Sequence, residues 1–374
     1  MHILHVVGSM NRGGAETWLM HVLRRIDPVD FHMDFLVHTS EHGAFDDEIR
    51  DAGSLVIPCL NPKYPPQYAR NFKKVLSEYG PYDVVHSHVH HYSGFVLRLS
   101  QSAGVQTLIA HGHTDARDLE EKVEKPRRVY LRLMKRMIYR YADYGLAASE
   151  KAAEDLFGPD WAEDHRWRLL YCGIYLEPFK QAVDARQIRV ELGIPENAFV
   201  VGHVGRFTKE KNHAFLIEIA FEVAKAAADI CFLLVGDGPL RPAIERKVEK
   251  LGLRDKVTFT GVRADVPRLM LGAMDAFILP SLYEGLPLAL IEAQAAGLPC
   301  VFSDVITEEA DIVKHLVKRL PVDRPAAIWA AAILDLQRIK PALKDPKAAP
   351  LVEHSDFNIT SSVEELMRVY EGRD

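Results

Sequence analysis

The sequence predicts an α/β fold made of two doubly wound parallel sheets that face one another. Three observations carry this. The chain has 374 residues, more than one ordinary core accommodates. Short β-rich apolar runs alternate with amphipathic helical patterns, which argues for parallel strands covered by helices on both faces. The alternation occurs twice, and the irregular stretch GIYLEPFKQAVDA separates the two series near residues 173–185.

In the first series the runs HILHVVG, FHMDFLVH, SLVIPC, DVVHSH, QTLIAHG, YGLAAS and LLYCGI read as strands. Each is rich in Val, Ile or Leu and bounded by polar, Gly or Pro residues. ETWLMHVLRRI and RNFKKVLSEYG carry apolar residues at helical spacing between them. In the second series the strands are AFVVGHV, ICFLLVGDG, KVTFTGV, AFILPS and PCVFSD. AFLIEIAFEVAKAAA, LRPAIERKVEKLGL and LPLALIEAQAAG are its helices, and NITSSVEELMRVYEG is a last one. PALKDPKAAP, residues 341–350, reads as a surface loop.

Hydrophobic residues make up 48% and charged residues 26%, as in ordinary globular proteins. A net charge of −6 argues against general nucleic-acid binding. Cys59, Cys172, Cys231 and Cys300 are widely spaced without a C-x-x-C, which reads as reduced thiols in a cytosolic protein. The chain opens directly into a strand, and no apolar run approaches the ~18 residues a membrane helix needs. The expectation is therefore a cytoplasmic protein.

The segment EGLPLALIEAQAAGLP sets Glu284 before a helix and Glu292 within it, with Pro287 read as the first helical position and Gly297 as the stop. The amides of Leu288 and Ala289 fall in the first turn, where helix ends attract anions. One carboxylate in front of an anion site and one behind it suit a ligand with central phosphates and hydroxyl-rich groups on both sides. GHVGRFTKEKN places Gly205 at a strand end, followed by Arg206 and Lys211 in the loop. Arginine can fork two hydrogen bonds onto phosphate, and lysine adds a compact charge. A departing diphosphate needs such a pair.

With these residues in view, the chain resembles the retaining glycosyltransferases of family 4, which have the two-domain GT-B fold. The resemblance runs from GSMNRGGAE to LPCVFSD and again at the tail. It is nearest to enzymes of exopolysaccharide, lipopolysaccharide or capsule assembly. It implies an acceptor domain over residues 1–175, a donor domain over 176–355 and a helix over 356–374 that crosses back to the first domain. It implies that Glu284 contacts the donor sugar, that Glu292 binds the ribose hydroxyls, and that Arg206 and Lys211 grip the diphosphate. His111 in AHGHTD would lie against the transferred sugar. The co-substrate would be a nucleotide sugar, most simply a UDP-sugar, with no cofactor and no metal.

Four further segments bear on the site. Gly13 and Gly14 in GSMNRGGAE would let backbone approach a ligand, and in the family this loop lies over the donor diphosphate. Gly236 in GDGPL permits a tight turn before a helix, and the family places backbone contacts to the base around Gly261 and Val262. HSHVHH puts His86 and His88 on one side of an extended chain. No matching cysteine or carboxylate set accompanies them, so no metal site is expected. Residues 122–140 hold eight basic residues and one acidic residue, with Val129, Leu133, Met137 and Tyr141 at helical spacing. Such a helix can lie on anionic lipid, here the inner face of a cell membrane.

The resulting expectation is transfer of a sugar from a nucleoside diphosphate to a saccharide, lipid-linked or free. A GT-B phosphorylase, a nucleotide-sugar epimerase and an inactive scaffold are the alternatives. Two departures stand out. The family's N-G-[IV]-D is replaced by Cys172, Gly173, Ile174 and Tyr175, and VITEEADI keeps Glu308 and Glu309 but lacks the usual paired glycines.

Overall fold

The structure, a computed structural model, describes residues 1–115, 117, 124–339 and 344–373. The chain divides into two compact units. Unit 1 is Met1–Gly173 together with the tail from Ile359, and unit 2 is Ile174–Asn358. The sequence reading put the corresponding joints at 175/176 and 355/356.

Unit 1 carries β1 (His2–Val7), β2 (His32–Val37), β3 (Val56–Pro58), β4 (Val84–Ser87), β5 (Thr107–Gly112), β6 (Tyr144–Ala147) and β7 (Trp167–Leu169). They form one parallel sheet in the order β3-β2-β1-β4-β5-β6-β7. Strands buried on both faces explain the near-continuous apolar runs, such as Leu4, Val6 and Val85, all fully buried. The tail helix Ile359–Tyr370 packs into this unit. The Trp18 indole N–H donates to Ser362 Oγ at 2.8 Å, and that hydroxyl donates to the Tyr171 carbonyl at 2.8 Å.

Unit 2 carries β8 (Phe199–Val204), β9 (Ile230–Val235), β10 (Val257–Gly261), β11 (Ala276–Leu279), β12 (Cys300–Ser303) and β13 (Val317–Leu320). The sheet is again parallel, in the order β10-β9-β8-β11-β12-β13. Its core includes Phe199, Phe232, Ile278 and Val301, with Trp329 and Ile333 of the helix Ala326–Arg338.

Three expectations change. The final strand of unit 1 is Trp167–Leu169, upstream of most of LLYCGI. That run is apolar because it is covered, with Leu170, Cys172 and Ile174 all buried. β13, Val-Lys-Arg-Leu, escaped notice because its centre is charged, with Lys318 exposed at the sheet edge and Arg319 paired with Asp311. In the stretch 341–350, residues 341–343 lie outside the described residues, and Ala348 opens the helix Ala348–Glu353 rather than a loop.

The basic stretch 122–140 forms the helix Lys125–Tyr141, with residues 122 and 123 outside the described residues. The expected apolar stripe divides. Met137 is buried beside Met134 and Ile138, whereas Val129 is 64% and Leu133 is 52% exposed. Among the described residues no helix is long and apolar enough to cross a membrane.

Candidate active site

In both sheets the strand order reverses once, between β1 and β4 and between β8 and β11. Open parallel sheets bind ligands outside the carboxyl ends of the strands at such a reversal. The chemistry-bearing residues gather at these two places.

In unit 2 the loops after β8, β9 and β10 interlock through glycines. Gly205 N donates to the Val235 carbonyl at 3.0 Å, and Gly236 N donates to the Gly261 carbonyl at 2.8 Å. Gly236 has φ +135°, and a Cβ there would stand 2.1 Å from Gly205 O, so no other residue fits. Gly261 is also left-handed at φ +72°, and Val262 beyond it is exposed. A Cβ on Gly205 would press on Lys211 Cδ at 3.4 Å and His203 Nε2 at 3.1 Å, so the bare backbone makes room for the lysine stem.

Lys211 follows β8 and Glu284 follows β11, on the two sides of the reversal. Their side chains meet directly, with Lys211 Nζ 2.5 Å from Glu284 Oε1. The Ser281 hydroxyl donates to the same oxygen at 2.7 Å, and Leu282 N donates to the Glu210 carbonyl at 2.8 Å. The pair is mostly buried, with side chains 19% and 11% exposed. It holds a positive and a negative group poised: an arriving anion competes for Lys211, and an arriving hydroxyl competes for Glu284. Arg206, which opens the same loop, is exposed.

The helix Leu288–Ala295 starts one residue later than expected, with Pro287 as its N-cap in extended conformation. Leu288 and Ala289 thus occupy its first two positions, where amides lack intrahelical partners. Gly297, at φ +71°, stops it as the sequence suggested. Glu292 is partly exposed, and the loss of water around its carboxyl pushes the pKa up to about 7. The segment after β12 that lacks paired glycines forms a 3-10 turn, Glu308–Ala310.

In unit 1, Gly13 is the N-cap of the helix Gly14–Leu23, in extended conformation. Trp18 of that helix sets its indole edge-on to His111, with ring centroids 5.3 Å apart. His111 lies within β5 and is fully buried. It does not stand alone. His5 in β1, His86 in β4, His88 just past it, and His111 and His113 at the end of β5 form one group among the described residues. His5 Nδ1 is 3.0 Å from His88 Nε2, His88 Nδ1 is 2.8 Å from His113 Nε2, and His86 Nε2 is 3.2 Å from His111 Nδ1. Tyr370 of the tail helix adds its phenol, 2.8 Å from His86 Nδ1 and 3.4 Å from His5 Nε2. Cys172 Sγ lies 3.7 Å from His113 Nδ1. His111 Nε2 is buried and has no hydrogen-bond partner among the described residues.

Sequence reasoning paired His86 with His88, treated His111 in AHGHTD apart from them, noted Cys172 only as a thiol and as a departure from the family pattern, and missed His5 and Tyr370. The available signal was that HILHVV, HSHVHH and AHGHT each carry histidine near the carboxyl end of a strand. Their union required the strand order β1-β4-β5. Burial lowers the pKa of all five imidazoles, to about 3 for His5 and His113, so they are neutral at physiological pH. Of the residues singled out from sequence, Lys211 and Glu284 touch. Gly205, Gly236 and Gly261 are stapled together, and Leu288, Ala289 and Glu292 share one helix. His111, Gly13 and Gly14 belong to the other unit.

Comparison with known proteins follows the same division. Residues 12–178 match the family described as Glycosyltransferase Family 4, and residues 184–349 match Glycosyl transferases group 1. EpsF of Bacillus subtilis (strain 168), which carries a glycosyltransferase name, is 37% identical over 88% of this chain and 86% of its own. The capsular polysaccharide biosynthesis glycosyltransferase CapH of Staphylococcus aureus is 26% identical over 98% of each chain. Among solved structures, Alr3699/HepE of Anabaena in complex with UDP and glucose superposes with a TM-score of 0.82 over 100% of both chains, at 22% identity. That last likeness establishes the GT-B fold.

Proposed function

Because the chain belongs to the glycosyltransferases of family 4, we propose that it transfers a sugar, with retention of the anomeric configuration, from a UDP-sugar to a saccharide or lipid-linked saccharide in polysaccharide assembly. The observation that carries this is the Lys211–Glu284 contact across the strand reversal of unit 2, with a helix N-terminus directly after it. Arg206, Lys211 and the amides of Leu288 and Ala289 would balance the charge of the departing diphosphate. Glu292 would hold the ribose hydroxyls, Glu284 the sugar, and the backbone at Gly205, Gly236, Gly261 and Val262 would border the nucleotide. In unit 1, His111 Nε2 would serve a saccharide, and the backbone at Gly13 and Gly14 would allow a ligand close approach. Cationic side chains and amides at the diphosphate would take the place of a metal ion there. The relatives support this reading: one is named for capsule biosynthesis, and a protein of the same fold holds UDP and glucose. The phosphorylase, epimerase and scaffold alternatives find no specific support in this geometry.

The exposed basic face of the helix Lys125–Tyr141, with Arg127, Arg132, Arg136 and Arg140 around Val129 and Leu133, would bring the enzyme to an anionic membrane where a lipid-linked acceptor resides. The transfer reading is tested by a thermal-shift series with UDP, GDP and ADP, followed by NMR of the product anomer. UDP is expected to raise the melting temperature by mass action, and Arg206→Ala to abolish the rise. An equal response to all three nucleotides, or to none, would overturn the donor assignment.

A further inference from the structure

The strand reversal of unit 1 carries three imidazoles to which the proposed transfer assigns no role. We propose that His5, His86 and His88 form a binding site for a late first-row divalent metal ion, of which Zn²⁺ is the type. The ring nitrogens of these three residues lie within 4.8 Å of one another. His5 and His86 are partners in the β1–β4 register, and His88 projects to the same side one pleat further on. The 3.0 Å separation of His5 Nδ1 and His88 Nε2 is close to the edge of a tetrahedron with metal–nitrogen bonds of ~2.0–2.1 Å, an edge of about 3.4 Å.

Three physical points favour an ion. Imidazole is the ligand that zinc and its neighbours prefer, and three of them with one open position is a recurring zinc geometry. A metal ligand must offer a bare lone pair, and burial keeps these rings neutral down to acid pH, so no proton competes near pH 7. His5 and His86 are fully buried while His88 is partly exposed, so the site opens to solvent on one side. Tyr370 stands beside two of the three rings, so an ion there would bind the tail helix to the sheet through the outer shell. His111 and His113 remain outside the ligand set.

The test uses the full chain and zinc chloride alone. The protein is stripped with chelator, titrated with Zn²⁺ against a chromophoric competitor, and its bound metal measured after dialysis. One zinc per chain is expected, with a rise in melting temperature. Co²⁺ in its place should give the visible bands of a tetrahedral nitrogen site. His5→Gln and His88→Gln should each weaken zinc binding at least ~10-fold. The double variants His2→Gln/His32→Gln and His90→Gln/His91→Gln control for two further groups, around Asp34 and Asp155, and should bind as the parent does. Far-UV circular dichroism shows whether each variant keeps unit 1 folded, and its thermal response to UDP, assigned to unit 2, keeps a failure of the metal site distinguishable from a failure of the transferase reading. Substoichiometric zinc in the parent, or undiminished binding in His5→Gln, would overturn the proposal and leave a metal-free chain of hydrogen-bonded imidazoles.

Discussion

Burial changes the chemistry of the Glu292 side chain. Its ordinary pKa of 4.5 rises to about 7, so the folded protein keeps a proton that the unfolded chain has released. The stabilisation this gives is present at low pH and is lost as pH climbs from about 4.5 through 7. Glu292→Gln carries no such dependence. Its melting temperature should match the parent near pH 4.5 and exceed it increasingly toward pH 8, while its response to UDP shrinks. A difference independent of pH would show that the carboxyl is well solvated. At this scale the sequence was informative where function rides on local spacing. Glu284, Glu292, Arg206 and Lys211 could be named because a helix start and a strand end announce themselves within a few residues. The histidine group was illegible for the opposite reason: His5 and His111 are brought together by strand order, which no local pattern encodes.

At the scale of elements, the helix Lys125–Tyr141 shows what periodicity leaves open. The stripe of Val129, Leu133, Met137 and Tyr141 was visible in its sequence, but spacing alone does not say how much of it faces the core. The structure buries Leu131, Met134, Met137 and Ile138, and it leaves Val129 and Leu133 in water among arginines. Burying two such side chains in lipid is worth roughly 1.5–3 kcal/mol each, and each basic residue near an anionic surface adds about 1 kcal/mol. Val129→Asp/Leu133→Asp should therefore reduce co-sedimentation with phosphatidylglycerol vesicles at least ~10-fold at low salt, with the UDP thermal shift intact. A parent protein that stays in the supernatant would remove the membrane reading. β13 and β7 teach the complementary lesson. An edge strand may be charged and a buried coil apolar, so composition misled at the rims of both sheets and served well at their centres.

At the scale of the molecule, the two alternating series became two units, and the tail became part of the first. Trp18, fully buried, has its indole N–H satisfied by Ser362, and His86 has its Nδ1 satisfied by Tyr370. Ending the chain at Asn358 should leave both groups without partners and uncover apolar surface, so unit 1 should lose its cooperative thermal transition. Tyr370→Phe, which removes only the hydroxyl, should cost about 1 kcal/mol. A truncated protein melting as the parent does would show that the tail is dispensable.

The same arrangement has a consequence for biogenesis. Residues 359–370 leave the ribosome only after all of unit 2 has been translated, yet unit 1 needs them to close. The half made first therefore waits, with an open seam, for the half made second. Chaperones that shield nascent hydrophobic surface should meet this chain early and hold it until translation has passed its tail.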